Sequence, residues 1–374
     1  MNICRFSTTF LPYIDGMSRH IYYLSKYQAE QGHKVFILQP YLNDEVRDGI
    51  FIRRINLGSF EKSQIHKFLT ILLCIVAIAK CIKIHKKEHL DIIHCHGDVI
   101  EAFFLGLLGL FLRIPVVLTI HGGLNKKLIY QILAPKMFSF IKRFIVVSED
   151  IKLDLLSLGI RSEKVEVISS GINFNFFLGC DNLPKVRIRS ELGIPTDVTV
   201  IVSTGRLHPV KGYRYLVDSV KLMNNDKKFL FIIVGDGPKR DELLALAKDM
   251  PIRFVGEKPS TDIVKYLHSA DIFVLPSIEL PGQAEGTSTS VMEAMAAGLP
   301  VISTDSGGTK YLIKDGENGF IVKQKNSEEL AKAIQKLLDN PELRKKMGET
   351  NQEKAKEKDW SVIAQRVYEV YKKL

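Results

Sequence analysis

Short hydrophobic runs alternate with longer amphipathic segments along the first half of the chain. The runs are rich in Val, Ile and Phe, which is typical of buried strands, and they are VFIL (35–38), IIHC (92–95), PVVLTI (115–120), FIVVS (144–148) and VEVISS (165–170). Helical patterns separate most of them. One of these, MSRHIYYLSKYQAEQG, ends at Gly32, as expected of a helix C-cap. The alternation predicts a parallel sheet with helices on both faces.

The same pattern starts again after the irregular stretch NFNFFLGCDNLP (173–184). A short helical segment, RIRSELG, is followed by further strand-like runs, which are TVIVSTG (199–205), FLFIIVG (229–235), IRFVG (252–256), IFVLPS (272–277) and PVIST (300–304). Because 374 residues are too many for one core, we predict two doubly wound domains, 1–183 and 184–359. In such sheets ligands bind beyond the carboxyl ends of the strands, on the side facing the cleft.

Composition narrows the class of protein only slightly. A hydrophobic content of 46% with 25% charged residues is ordinary for a globular protein. The five cysteines are odd in number and form no C-x-x-C pair, which favours a reducing cytoplasm over a disulfide scaffold. The N-terminal MNICRFSTTF lacks the features of a secretory signal. We therefore expect a cytoplasmic location.

The positive charge lies mainly in the first half. Residues 1–180 carry 22 Lys and Arg against 15 Asp and Glu, whereas the remainder carries 30 against 27. Such an excess is compatible with nucleic acid, anionic lipid or a phosphorylated substrate. Two apolar runs in the same half, FLTILLCIVAIA (68–79) and AFFLGLLGLFL (102–112), are shorter than the ~20 residues that span a bilayer. They predict helices packed on the sheet or, as the alternative, helices lying on the inner face of the plasma membrane, and they point away from nucleic acid.

Polar residues follow several strands of the second half. GRLHPVKG, after the first of these strands, places Arg206 and Lys211 five residues apart around a turn. A guanidinium fork and an ammonium at one strand end could bind a diphosphate. The alternative is a solvated basic turn, and these residues alone do not decide between the two.

The stretch EGTSTSVMEAMAAG supplies a second group of candidates. Gly286, Thr287, Ser288 and Thr289 precede a predicted helix over 291–297, whose free amides and dipole favour an anion. Glu293 in that helix has two interpretations. It could complete a capping box with Ser290, or it could accept hydrogen bonds from the diol of a ribose.

Taken together, these segments resemble the group 1, or family 4, glycosyltransferases, which are retaining, nucleotide-sugar-dependent enzymes with the GT-B fold of two Rossmann-like domains facing a central cleft. The resemblance covers essentially the whole chain. It is strongest in STGRLHPVKGYRYLVDSV, FIIVGDGPKRDEL, IRFVGE, SADIFVLPS and EGTSTSVMEAMAAGLPVISTDSGGTKYLI. It also implies that the last helix, 360–374, packs back on the first domain.

The resemblance implies roles for individual residues. Arg206 and Lys211 would hold the donor diphosphate, and Glu293 would hold the ribose. Glu285 would bind hydroxyls of the transferred sugar, while Val255 and Gly256 would lie by the base. The remaining assignments are Gly16 approaching the phosphates when the cleft closes, His121 beside the reacting sugar, and the 286–289 loop on the donor.

The chain departs from the family pattern at two points. Asp15 stands where the family usually has a second glycine, and Thr287-Ser288-Thr289 replaces the usual Phe-Gly-Leu. Backbone amides can donate from Thr or Ser as well as from Gly, so the departures affect the acceptor side and the fine contacts to the sugar.

A metal site is not expected from the sequence. His94 and His96 lie on one face of a strand end, but two histidines without a third ligand favour a structural or substrate-contact role. No Asp-x-Asp motif occurs in the sequence, so we predict no essential metal.

The resemblance implies a glycosyltransferase of the hexosyl or N-acetylhexosaminyl type. Its donor would be a UDP- or GDP-sugar, and its acceptor a glycan or lipid-linked sugar of cell-surface polysaccharide or glycoconjugate synthesis. No other cofactor is expected. The alternatives are a UDP-sugar epimerase of the same fold, or a scaffold that binds nucleotide sugars without turnover.

Overall fold

A computed structural model describes the chain except residues 13–15, 58–66, 123, 125–127, 180–182, 224–227 and 281–287. It divides into two compact units, Met1–Gly171 with Trp360–Leu374, and Ile172–Asp359. The predicted boundary after residue 183 is therefore too late. Phe174 and Phe177 are buried in the core of the second unit, and the Phe174 amide donates to Asp359 Oδ2 at 3.0 Å, so this segment belongs to that unit.

The first unit is built on one eight-stranded sheet in the order β3-β4-β2-β1-β5-β6-β7-β8. Its strands are β1 (Asn2–Ser7), β2 (Lys34–Gln39), β3 (Glu45–Arg47), β4 (Ile50–Arg54), β5 (Ile92–His96), β6 (Val116–Ile120), β7 (Arg143–Val146) and β8 (Val165–Val167). Its helices are α1 (Gly16–Glu30), α2 (Lys67–Glu88), α3 (Val99–Leu112), α4 (Leu128–Phe138), α5 (Glu149–Ser157) and, at the end of the chain, α14 (Trp360–Lys372). All pairings are parallel except that of β3 with β4.

Three strands of this sheet, β1, β3 and β4, are not predicted by the hydrophobic pattern of the sequence. Arg5 interrupts the apolar run of β1, although its side chain is completely buried. β3 and β4 are short and joined by Asp48 and Gly49, both with positive φ, which is the conformation of a two-residue hairpin turn. A short edge hairpin buries little apolar surface, so it leaves a weak signal in the sequence.

Both faces of the sheet are covered, as the alternation predicted. Along β1 and β2 successive residues point to opposite cores: Cys4, Phe6 and Phe36 face α2 and α3, whereas Ile3 and Val35 face α1 and α14. Gly32 has φ +85°, and the next amide, of His33, donates to Gln28 O at 3.0 Å, which confirms the predicted end of α1.

α2 is longer than the apolar run that predicted it. By length and composition its segment Phe68–Glu88 could cross a membrane. Only 28% of the most apolar 18-residue stretch of this segment is buried. One face of the helix, including Leu73, Cys74 and Ala77, is buried in the core of the first unit. The helix therefore packs on the sheet along one face, whereas Phe68 and Ile75 on the same helix are exposed.

The second unit contains a fully parallel six-stranded sheet in the order β11-β10-β9-β12-β13-β14. Its strands are β9 (Thr199–Thr204), β10 (Phe229–Val234), β11 (Ile252–Phe254), β12 (Ile272–Leu275), β13 (Val301–Thr304) and β14 (Gly319–Val322). Its helices are α6 (Phe174–Leu178), α7 (Lys185–Glu191), α8 (Tyr213–Lys221), α9 (Arg240–Leu246), α10 (Ser260–Ser269), α11 (Thr289–Ala296), α12 (Ser327–Asp339) and α13 (Pro341–Lys356). Residues alternate between two cores here as well.

α14 lies in the first unit although it ends the chain. It packs against α1, and Trp360, Ile363, Val367 and Val370 are all buried in the core on that side of the sheet. Burying four large apolar side chains stabilises the unit by several kcal/mol, at about 1.5 to 3 kcal/mol each before the entropy cost. The helix is therefore an integral part of the first unit.

Candidate active site

The loops after β9 and β10 touch each other through their backbones. A Cβ built on Gly235 would lie 2.0 Å from the carbonyl oxygen of Gly205, and one built on Gly237 would lie 2.7 Å from that of Leu207. Their φ values, +145° and +158°, also favour glycine. These glycines allow two strand ends to approach more closely than side chains would permit.

Arg206 and Lys211 lie at the carboxyl end of β9. Arg206 is exposed and follows Gly205 directly, and Lys211 closes a single 3-10 turn, Pro209–Lys211. A Cβ on Gly205 would lie 3.6 Å from Lys211 Cε, so the lysine side chain runs back across the strand end. Both predicted cations therefore belong to one strand end.

Gly212 fixes the direction of the chain after this turn. Its φ is +65°, and a Cβ there would lie 1.9 Å from the carbonyl oxygen of Pro276, in the loop after β12. The amide of Ile278 in the same loop donates to Val210 O at 2.8 Å. The β9 turn that carries Lys211 is thus held against the segment that leads toward α11.

Val255 and Gly256 follow β11 and lie beside the β10 loop. The Val255 amide donates to Ile233 O at 3.1 Å, and Gly256 O accepts from the Gly235 amide at 2.9 Å. Since β11, β10 and β9 are neighbours in the sheet, the residues predicted near the base and those predicted at the diphosphate lie along one edge, which is formed by the carboxyl ends of these strands. That common edge is a fact of the fold, whereas the contacts to a ligand remain predictions.

The start of α11 differs from the predicted capping box. The helix begins at Thr289 with Ser288 as N-cap, so Ser290 lies inside it and Glu293 lies in its second turn. A capping box needs Ser at the N-cap and Glu three residues later, where Val291 stands, so the capping interpretation of Glu293 is wrong. Glu293 is buried, with 6% of its surface exposed, and takes part in an electrostatic or hydrogen-bonding contact.

The N-cap of α11, Ser288, and its first residue, Thr289, belong to the stretch predicted to bind phosphate. Within the described residues the Ser288 side chain caps none of the first amides of the helix, and its Oγ lies 2.9 Å from Ser290 Oγ. Three residues assigned to this loop, Glu285, Gly286 and Thr287, lie outside the described residues, so their predicted roles stay predictions.

In the first unit the predicted His121 belongs to a cluster of imidazole rings. It follows β6, is half-buried, and its Nε2 lies 3.0 Å from Nδ1 of His96 at the end of β5. The ring of His20, on α1, lies 4.7 Å from that of His121, centroid to centroid. The structure therefore brings together three histidines from three elements.

Burial keeps the inner rings of this cluster neutral. It lowers the pKa of His20 and of His96 well below the ordinary value of 6.5, with smaller contributions from neighbouring histidines and from the buried guanidinium of Arg5. His94, on the same face of β5, has its pKa lowered by the same main cause. These imidazoles are uncharged at neutral pH.

His20 was not singled out by the sequence. It lies on the buried face of α1 together with Leu24 and Gln28, at spacings of four residues. The sequence does show a histidine at the same helical spacing as residues of the buried face, and this spacing is the signal that could have identified it. What the sequence does not contain is the order of β1, β5 and β6, which decides that His20, His96 and His121 meet.

Gly16 is exposed and is the first residue of α1. A Cβ built on it would have no neighbour within 4 Å among the described residues. The structure of the protein alone therefore gives no steric reason for glycine at this position, and the phosphate approach implied by the family resemblance stays a prediction.

Known proteins resemble this chain along nearly all of its length. The models of Glycosyltransferase Family 4 and of Glycosyl transferases group 1 match residues 14–176 and 185–354. An uncharacterized glycosyltransferase of Methanocaldococcus jannaschii is 30% identical over 298 residues, 75% of each chain. The D-inositol 3-phosphate glycosyltransferase of Corynebacterium glutamicum is 27% identical over 390 residues, covering 95% of this chain and 91% of that protein.

The fold has solved counterparts. The crystal structure of HepE from Anabaena in complex with UDP-glucose superposes with a TM-score of 0.77 at 19% identity, covering 100% of both chains. Two parallel-sheet α/β units of this kind define the GT-B fold. With the matches above, the chain belongs to the group 1, or family 4, glycosyltransferases.

Proposed function

We propose that this protein transfers a sugar, with retention of anomeric configuration, from a UDP- or GDP-sugar to a glycan or lipid-linked sugar. The observation that carries the proposal is the common strand edge in the second unit. There Arg206 and Lys211 lie at the end of β9, next to the loops that carry Gly235 and Gly256. HepE, which was solved with UDP-glucose, has the same fold and supports a nucleotide-sugar donor.

The chemistry asked of the cations follows from the bond that breaks. As the bond between the anomeric carbon and the diphosphate oxygen breaks, its electron pair stays on the diphosphate. The acceptor hydroxyl oxygen forms the new bond to that carbon, and the hydroxyl proton passes to the departing diphosphate. Negative charge therefore grows on the phosphate oxygens. Arg206, Lys211 and the first amides of α11 would bind that charge more tightly in the transition state than in the ground state.

The other assignments complete this proposal. Glu293 would accept from the ribose, Glu285 would bind hydroxyls of the sugar, and His121 would lie beside the reacting sugar. We assign no covalent nucleophile. Since the sequence contains no Asp-x-Asp motif, we propose that the diphosphate is neutralised by protein groups and that no metal is essential.

The donor is tested by ligand-induced stabilisation. UDP, GDP and ADP are added separately, and the thermal unfolding midpoint is measured. The cognate nucleotide at 100 times its dissociation constant should add about 2.7 kcal/mol of stability. No stabilisation by any of the three would contradict a nucleotide-sugar donor of this kind.

Turnover then separates the transferase from its two alternatives. Membership of the glycosyltransferase family favours transfer to an acceptor. An epimerase would convert the donor without acceptor, and a scaffold would bind the nucleotide without any product. The assay therefore compares donor consumption with and without an acceptor mixture, and the anomeric configuration of the product, read by NMR, tests retention.

We propose further that the first unit binds the cytoplasmic face of an anionic membrane. Three neighbouring helices expose large apolar side chains, which we call the apolar patch: Phe68 and Ile75 on α2, Leu107, Leu110 and Phe111 on α3, Ile132 and Leu133 on α4. Phe111, at 79% exposure, is the most open of them. Lys83, Lys86 and Lys87 on α2 and Arg113 after α3 are exposed as well and favour anionic headgroups.

Vesicle flotation tests this surface. Anionic vesicles at low salt should retain the protein, and a double Leu110→Ser, Phe111→Ser variant should bind several-fold more weakly. Leu222→Ser, which removes a similarly exposed leucine from the second unit, serves as the control and should bind normally. Equal binding of all three proteins would show that the apolar patch is not the membrane contact.

A further inference from the structure

His20, His96 and His121 have the arrangement of a metal-ligand set. Each offers one ring nitrogen, and these nitrogens all lie within 4.8 Å of one another. Three imidazoles bound tetrahedrally at about 2.0–2.1 Å from an ion have nitrogens roughly 3.4 Å apart. Small side-chain rotations would bring the three rings to that distance.

Two of the rings carry buried nitrogens that need an explanation. Nε2 of His20 and Nε2 of His96 have no hydrogen-bond partner in the part of the chain that the structure describes. Both side chains are at least 99% buried. A buried polar atom without a partner is costly, and a ligand that takes its lone pair removes that cost.

A hydrogen-bond partner orients one of the three rings, and the exposed side of another leaves a path for the ion. Nδ1 of His20 lies 2.9 Å from Ser170 Oγ, an interaction that leaves Nε2 as the free coordinating atom when Nδ1 carries the proton. His121 is half-buried, so an ion can reach the cluster from its side. Metal bonds would replace the hydrogen bond between Nδ1 of His96 and Nε2 of His121: with the proton of each ring on Nδ1, all three rings coordinate through Nε2 and no net proton is released.

We infer that His20, His96 and His121 form a binding site for a late first-row divalent cation, of which zinc is the representative. An all-imidazole set suits zinc and leaves a fourth position for water, whereas magnesium and calcium prefer oxygen ligands. The nearby guanidinium of Arg5 opposes a cation, and thiolates do not take part, so binding is weaker than at a structural cysteine site.

This site goes beyond the proposed transfer reaction and is independent of the donor. It rests on the proposed function in one respect, namely that the ion would bind the imidazole of His121, which we place beside the reacting sugar. Zinc should therefore slow transfer rather than activate it. Binding itself is measured without any substrate, so a failed binding test and a failed transfer assay remain distinct.

The experiment uses the full chain stripped with a chelator. Equilibrium dialysis against zinc should leave about one ion per chain, and cobalt(II) should give the visible absorption of a tetrahedral site. His20→Ala should lose the bound ion and the cobalt band. Ser170→Ala, which keeps all three ligands, should bind roughly 10- to 100-fold more weakly.

The control variant tests whether a second histidine pair, at the surface, binds the zinc instead. His85 and His89, four residues apart, have ring centroids separated by 6.2 Å, and His89 is exposed with φ +51°. His89→Asn suits this backbone conformation and should bind zinc normally. Retention of the ion by His20→Ala, or its loss in His89→Asn, overturns the proposal. Should His20→Ala fail to fold by circular dichroism, unchanged affinity in Ser170→Ala overturns it.

Discussion

The hydroxyl of Tyr371 lies 2.5 Å from Nδ1 of His94, so the last helix of the chain is hydrogen-bonded to β5 in the central region of the first sheet. The same hydroxyl accepts from Arg5 Nη2 at 3.1 Å, and Nε2 of His94 lies 2.7 Å from Thr119 Oγ1. All four side chains are buried. When the Tyr371 hydroxyl donates its hydrogen bond to Nδ1 of His94, the imidazole proton lies on Nε2 and points at Thr119.

Replacing Tyr371 by Phe should destabilise the protein by about 1 to 3 kcal/mol, because it leaves Nδ1 of His94 without its buried partner and removes one of the two partners of Arg5 Nη2. Urea unfolding followed by circular dichroism measures the effect. Tyr368→Phe is the control, since Tyr368 lies on the same helix but is only half-buried, and it should change stability by less than about 0.5 kcal/mol. Equal stability of the two variants would mean that the Tyr371 contacts contribute nothing.

The protein should lose stability as the pH falls from 7.5 to 5.5. Burial lowers the pKa of His20, His94 and His96 well below 6.5 in the folded state, whereas the unfolded chain protonates them near 6.5. The unfolded state thus binds more protons in this range, and each histidine lowers stability by up to about 1.4 kcal/mol per pH unit. Urea unfolding midpoints in the presence of a chelator measure the slope.

Three other groups bear on this pH dependence. Burial also lowers the pKa of His33 and of His268, which adds to the slope. Burial raises the pKa of Glu101, which acts in the opposite direction and reduces the slope at its acid end. His94→Gln, whose amide can replace both hydrogen bonds of the ring, should reduce the slope by removing one of the histidines whose pKa is most strongly lowered. A midpoint independent of pH, or a slope unchanged in His94→Gln, would contradict the interpretation.

Removal of either cation at the end of β9 should reduce turnover. Arg206→Ala and Lys211→Ala should each lower kcat by roughly 100- to 1,000-fold, the effect of losing one preorganised donor to a developing charge. Arg214→Ala is the matched control, because Arg214 is exposed on α8 and pairs with Asp218 at 3.9 Å. Near-normal rates in both single variants would place the diphosphate elsewhere.

Glu293→Gln should weaken donor binding by about 1.5 to 3 kcal/mol, since a carboxylate forms stronger hydrogen bonds to a ribose diol than an amide does. Affinity is measured by calorimetry in the same preparation as the melting temperature. Nucleotide binding as tight as that of the parent would remove the ribose role.

The corrected start of α11 gives a companion prediction. Ser290 lies inside the helix and not at the N-cap, so Ser290→Ala should cost well under the ~1 kcal/mol typical of a lost cap. A full cap penalty in Ser290→Ala would restore the capping box.

The C-terminal end of the chain illustrates where sequence pattern is informative. Apolar residues at 363, 367, 370 and 371 predicted an amphipathic helix, and Ile363, Val367, Val370 and Tyr371 are all buried. The pattern works because a surface helix must place its apolar side chains at a spacing of three to four residues. It does not reveal that the hydroxyl of Tyr371 meets Arg5 and His94.

The sequence by itself determined the two parallel sheets, the strand ends that carry Arg206, Lys211, Val255 and Gly256, and, through its family resemblance, the class of enzyme. These features depend on local periodicity and on residues close together in the chain. Tertiary structure alone decided the boundary at Gly171 and Ile172, the N-cap at Ser288 and the cluster of His20, His96 and His121. Each of these depends on which strands are neighbours and which segments share a core, and such long-range packing is not written in local hydrophobic spacing.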